Sequence, residues 1–176
     1  VFGLRGEDVS HYDEPHAITF TAENSAGWPS VIDFLQENFV KPAKQGGEAA
    51  TLRAKRERFE SIASERSFDC TRTPASLRAS DGYTLTGEWT TTADTDPAHR
   101  ILYIHGGAYA VGSAKSHRAI TYNLARRTGC AVFAVNYRLI PENKRLSGVQ
   151  DCKDAYLWTL SNGPQGESPC QTIAVM

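Results

Sequence analysis

From Arg100 onward, short apolar runs alternate with helical periods, and this alternation limits the fold more than any other feature of the chain. Ile101-Leu102-Tyr103-Ile104 comes first, followed by a helical stretch over 117–128, Cys130 to Val135, a second helical stretch, and Thr172 to Met176. Runs this short and this uniformly apolar suit strands covered on both faces. Ile120 and Leu124 fall four apart in the first helix, and Gly129 closes it. Ser147 and Gln150 have the spacing of a capping box, after which Val149, Cys152, Tyr156 and Leu160 mark one helical face. Strand, helix, strand, helix, strand predicts an α/β fold: a mostly parallel sheet with helices on both faces.

Upstream, the pattern changes. Asp81-Gly82 is a two-residue hairpin signal. Tyr83, Leu85 and Trp89 then alternate with Thr84, Thr86, Glu88 and Thr90, the period of a half-buried strand. Strands begin near Ser67, this hairpin is antiparallel, and Ala93 to His99 reads as a loop. Before it, Pro29 opens a helical run with Val31, Leu35 and Phe39 on one face, stopped by Pro42. A second helix covers Glu48 to Ser64, charged on most sides, with Leu52, Phe59 and Ile62 as a narrow apolar stripe. The expected division is a helical segment over 1–65 and a sheet domain over 66–176. Periodicity alone leaves open whether the helices cap the domain or merely precede it.

Composition narrows the function classes. Nineteen Lys and Arg against twenty Asp and Glu give a formal charge of −1, which offers nothing to recommend nucleic acid or an anionic membrane as partner. No apolar run approaches the roughly 18 residues of a membrane span, and the first residues lack a secretory pattern. Four scattered cysteines, Cys70, Cys130, Cys152 and Cys170, are expected to be reduced thiols in a cytoplasmic protein. No metal site is expected: His11, Asp13, Glu14 and His16 lie close in sequence, but such loop clusters are usually solvated. Met176 is the only methionine, so the chain is expected to be a processed product or a piece of a longer one.

The chemistry concentrates in Ile104-His105-Gly106-Gly107-Ala108-Tyr109-Ala110-Val111-Gly112-Ser113. It stands directly behind a buried strand, where the ends of parallel strands build ligand crevices. Two adjacent glycines permit a turn closed to residues with a Cβ. Such a turn can aim consecutive N–H groups at one point, the geometry that holds an oxyanion.

This loop resembles the His-Gly-Gly-Gly loop of the hormone-sensitive-lipase family, with Ala108 in place of the third glycine. A second family motif appears after the next strand as Tyr137-Arg138-Leu139-Ile140-Pro141-Glu142. The resemblance is close over 100–176 and broad over 1–99. It departs where relatives carry a proline-rich stretch and this chain reads Lys144-Arg145-Leu146-Ser147-Gly148.

The resemblance implies a partial α/β-hydrolase fold and a serine-dependent hydrolase of short carboxylic esters, with a small-molecule ester as partner and no cofactor. The amides of Gly107 and Ala108 would be two arms of an oxyanion hole. His105 and Gly106 would shape the loop, His105 through its side chain and not as a base. Tyr109 would line the acyl or alcohol pocket, though a partly buried aromatic needs no such role. Arg138 and Glu142 are expected to be scaffold charges. The family's nucleophile sits in a Gly-x-Ser-x-Gly elbow behind the next strand; no such motif occurs here, and the catalytic Ser, Asp and His are expected to lie beyond the strand at 172–176. Gly112-Ser113-Ala114-Lys115-Ser116 and His117 are poor substitutes. A non-catalytic binding protein of the same fold, like the gibberellin receptors, is the alternative.

Overall fold

The computed structural model describes residues 33, 48–64 and 67–176; the expected helix from Pro29 and the His11 to His16 cluster lie outside them. Gly46–Met176 forms one compact unit. It opens with helix α1 (Glu48–Ser64), followed by strands β1 (Thr71–Arg78), β2 (Thr84–Thr91) and β3 (Asp96–Ile104). A 3-10 turn (Lys115–His117) leads into α2 (Arg118–Thr128) and β4 (Cys130–Asn136). Helix α3 (Arg145–Ser161), a two-residue ribbon of β5 (Asn162–Gly163) and β6 (Gly166–Glu167), and β7 (Thr172–Val175) complete it.

The main sheet runs β1-β2-β4-β3-β7. β3 is parallel to both β4 and β7, whereas β1–β2 and β2–β4 are antiparallel. The chain leaves β3 toward β4 on one side and later returns to β7 on the other. Strand order therefore reverses at β3, and its carboxyl end opens the crevice that such a reversal creates. The residues placed there are His105 and those after it.

Alternation along the strands fills both faces. Leu102, Phe133 and Val135 point to one side, with Leu77, Leu85, Trp89 and Ala155 of α3. Ile101 and Val132 point to the other, against Ala125 of α2. Trp89 and Trp158 both lie against Phe133 with ring centroids 5.0 Å away. Burying a side chain of this size stabilises by roughly 1.5–3 kcal/mol. Arg100 is also buried, 1% exposed. It donates to the carbonyls of Pro97 (2.9 Å), Thr159 (2.7 Å) and Ser168 (3.0 Å). The Thr159 carbonyl lies in the last turn of α3, where the helix dipole favours a cation.

Several local expectations change. The β1–β2 hairpin forms, but through a three-residue loop. Ala79 and Tyr83 still pair across it, Gly82 N–H donates to Ala79 O, and Gly82 takes φ +84°, a turn closed by a left-handed residue. Part of the expected loop before Arg100 is strand, because Asp96 pairs with Cys130 and His99 with Thr172 around an irregularity in β3. The stretch 145–148 is the first turn of α3, not a loop. Its capping box is absent: the helix starts after Lys144 with no side-chain cap, and Gln150 instead donates to Asp154 (2.9 Å).

The buried faces of α2 and α3 are rotated from those expected. Ile120 is 46% and Val149 54% exposed. Thr121 and Ala125 are buried in α2, and Gly148, Asp151, Ala155 and Thr159 in α3. Small side chains let the helices lie close on the sheet; Leu124, Cys152, Tyr156 and Trp158 pack partly buried at the margins, whereas Ile120, Val149, Leu157 and Leu160 are exposed. Among the described residues no helix is long and apolar enough to cross a membrane.

Candidate active site

The loop behind β3 turns sharply. Gly107 has φ +128°, Ala108 φ +51° and Tyr109 φ +61°. A Cβ at Gly107 would lie 2.0 Å from the Val111 carbonyl oxygen, so only glycine fits there. Position 106 differs: a Cβ would meet nothing nearer than His117 Nε2 at 4.0 Å. The turn closed to a Cβ thus requires glycine at 107 and not at 106. Ala108 and Tyr109 accept the left-handed region that residues with a Cβ normally avoid. The Gly107 carbonyl accepts from the Ala110 and Val111 amides, each at 3.0 Å. The Gly107 and Ala108 amides donate to no group among the described residues.

Those two residues line a cavity of about 240 Å³ with Ile104, His105, Tyr109 and Tyr137. Gly148, Val149 and Cys152 of α3 form the opposite wall. Burial pushes the Cys152 thiol up to about 11, so it stays neutral and serves as apolar lining. Tyr109 is half-exposed at the rim and its carbonyl accepts from the Ile140 amide (2.9 Å).

His105 is 2% exposed and stacked on Tyr137, with ring centroids 4.3 Å apart. Its Nδ1 lies 2.8 Å from the Gly106 carbonyl, which requires the proton on Nδ1. Nε2 is then buried with no partner among the described residues. Tyr137 Oη donates to the His105 carbonyl (2.7 Å), and burial pushes that phenol up to about 12. The imidazole is therefore a neutral strut between the loop and the 137–142 segment. Burial lowers its pKa to about 4, and lowers that of His117 as well.

A measurable consequence follows. The unfolded chain takes up protons on these rings near the ordinary histidine pKa of about 6.5, while folded His105 resists until about 4. Stability is thus complete above about pH 6.5 and declines as pH falls toward 4. His105→Gln is expected to flatten that slope in urea titrations across pH 4–7. An unchanged slope would contradict the assignment.

The 137–142 motif proves structural in its contacts. Arg138 pairs with Asp151 (2.6 Å) and Asp81 (2.7 Å), and Glu142 with Arg56 (2.7 Å). Reading the sequence missed Arg56, whose Nε donates to the Ala110 carbonyl (2.7 Å), and Glu60, which accepts from Ser113 Oγ (2.6 Å). Both stand on the charged side of α1, and no local pattern marks contacts more than fifty residues away. Asn136, whose Oδ1 accepts from the Ala114 amide (2.7 Å), was also unmarked. Among the described residues no group of three or more His, Cys, Asp or Glu is placed to hold a metal.

A mixed sheet with a parallel β4-β3-β7 core and an open turn at the carboxyl end of β3 is the arrangement of the α/β-hydrolase class. Residues 101–176 match the model of the alpha/beta hydrolase fold family. The chain is similar to the ethyl acetate hydrolase of Pseudomonas putida, 36% identical over 104 residues, which is 57% of this chain and 33% of that protein. Similarity to the hormone-sensitive lipase of Mus musculus is 31% over 74 residues, 40% of this chain and 10% of that protein. Among solved structures, a hyperthermophilic esterase from the archaeon Pyrobaculum calidifontis superposes with a TM-score of 0.66 at 25% identity, covering 84% of this chain and 48% of that one. Residues 101–176 carry the alpha/beta hydrolase fold, and the chain is similar to esterases of the hormone-sensitive-lipase type. It matches about a third of its first relative's length and about half of the esterase's.

Proposed function

We propose that the whole protein carrying these residues hydrolyses carboxylic esters of short acyl groups. One observation carries the reading: Gly107 and Ala108, whose amides have no partner among the described residues, line an apolar cavity at the carboxyl end of β3. In this account a serine from the rest of the protein gives its proton to a base there and adds to the ester carbonyl, whose π electrons move onto oxygen. Their return expels the alcohol, which takes up that proton, and water then releases the acid from the serine. The Gly107 and Ala108 amides donate to the carbonyl oxygen as the charge forms, each donor worth roughly 2.7–4 kcal/mol to the transition state. His105 holds the loop and takes no proton, since its Nδ1–H is tied to Gly106 O and its Nε2 is enclosed. The apolar lining of the cavity suits the acyl or alcohol part of an ester. The similarity to an ethyl acetate hydrolase supports short groups.

The test is hydrolysis by the whole protein of p-nitrophenyl esters of increasing acyl length, before and after treatment with a serine-directed phosphonate. Turnover of the acetate or butyrate, falling with chain length and abolished by the phosphonate, is expected. Ester binding without turnover would favour the non-catalytic alternative.

A further inference from the structure

We propose that Arg56 is a positioning residue for the loop that carries the two amides, a role that rests on the ester-hydrolase reading above. Its guanidinium reaches from α1 to three places at once. Nε donates to the Ala110 carbonyl (2.7 Å), Nη2 to the Ile140 carbonyl (3.0 Å), and both Nη groups to the Glu142 carboxylate (2.7 and 2.9 Å). One planar group thus binds the helix, the amide loop and the 137–142 segment together. One turn along the same face of α1, Glu60 accepts from Ser113 Oγ (2.6 Å). The helix therefore grips the loop at Ala110 and again at Ser113.

The grip matters because of what precedes it. Ala108 and Tyr109 hold φ angles of +51° and +61°, which residues with a Cβ keep only when the surroundings impose them. Ala110 is the next residue, and its carbonyl orientation fixes how that pair ends. Freed from Arg56, the pair relaxes toward ordinary torsions and turns the Ala108 amide from the cavity. The Glu142 pair is exposed, with side chains 30% and 55% accessible, and such pairs contribute little by themselves. The carbonyl contacts carry the effect, and a lysine, with one rotating ammonium, cannot reproduce that fork.

The experiment compares Arg56→Ala, Arg56→Lys and Arg53→Ala in the whole protein, using p-nitrophenyl acetate. Arg53 lies on the same helix, 80% exposed and paired at 3.5 Å with Glu57, and its variant keeps wild-type kinetics. Arg56→Ala is expected to lower kcat roughly tenfold to a hundredfold, the loss that a small misplacement of a catalytic group brings, with KM within about twofold. Guanidinium at sub-denaturing concentration restores part of kcat in Arg56→Ala and does nothing for the wild type. Wild-type kcat in Arg56→Ala, or a loss confined to KM, overturns the proposal. If the alanine variant does not fold, Arg56→Lys decides, since a kcat equal to wild type overturns it and a several-fold loss supports it.

Should the wild type hydrolyse no ester, the function reading fails and the clamp is judged separately by hydrogen exchange. The Ala110 and Val111 amides, which close the turn on Gly107 O, then exchange at least about tenfold faster in Arg56→Ala if the clamp holds. Equal rates overturn it.

Discussion

Gly107→Ala is expected to lower kcat/KM of the whole protein by about 10²–10³, the effect of removing one oxyanion donor. The cause is steric. At φ +128° any L side chain is strained, and the added Cβ would lie 2.0 Å from Val111 O and 2.7 Å from its carbonyl carbon. Both atoms belong to backbone, so no side-chain rotation gives relief. The turn must open, and in the proposed mechanism this moves the two amides away from the substrate oxygen. Gly106→Ala is the matched comparison: its Cβ has 4.0 Å to the nearest atom, and the loop keeps its shape. Ester-hydrolysis kinetics on the two variants separate the effects. Equal activities would show that the turn at Gly107 is not what aims the amides.

The largest loss of stability is expected at Asp151. Its carboxylate is fully buried and accepts from the Arg138 main-chain N–H (2.8 Å), from Nε (2.9 Å) and from Nη2 (2.6 Å). Those bonds hold the guanidinium above the Tyr83 ring, 4.5 Å from its centroid. Asp151→Ala leaves the main-chain N–H and Nε without an acceptor, while Nη2 keeps Asp81 (2.7 Å). Removing one member of a buried pair costs about 3–5 kcal/mol. Asp151→Asn keeps one oxygen for the main-chain N–H and loses less. Urea unfolding of both variants at neutral pH checks this, and a loss below about 1 kcal/mol for the alanine variant would contradict it. The effect reaches the site, because Arg138 follows Tyr137, whose hydroxyl supports the His105 carbonyl.

The strand and helix order after Arg100 was legible because buried parallel strands must be apolar throughout. The bounds of α1, Glu48–Ser64, were also legible, from its charge and apolar spacing. The orientation of α3 was legible in part. Apolar spacing points to Val149, Cys152, Tyr156 and Leu160, of which Cys152 and Tyr156 pack partly buried on the core, while the fully buried positions are Gly148, Asp151, Ala155 and Thr159. Gly148 lies against the Arg138 carbonyl, where a Cβ would be 2.6 Å from the oxygen. Close approach selected small residues, and a buried ion pair placed Asp151 where periodicity expects an apolar side chain. In the loop, the doubled glycine drew equal attention to 106 and 107, but only 107 needs its freedom. The departure at 108 is accommodated by a left-handed alanine. Arg56 and Arg100 were invisible for a shared reason: each acts through carbonyls brought close only by the tertiary fold.

Catalysis by this loop depends on where two amides point when charge develops on the substrate oxygen. A crystal structure of the whole protein inactivated by an alkyl phosphonate would place a stable phosphoryl oxygen where that charge forms. This oxygen is expected within about 2.7–3.1 Å of both the Gly107 and Ala108 nitrogens. An adduct whose oxygen lies beyond reach of both, held by other donors or by solvent, would contradict it.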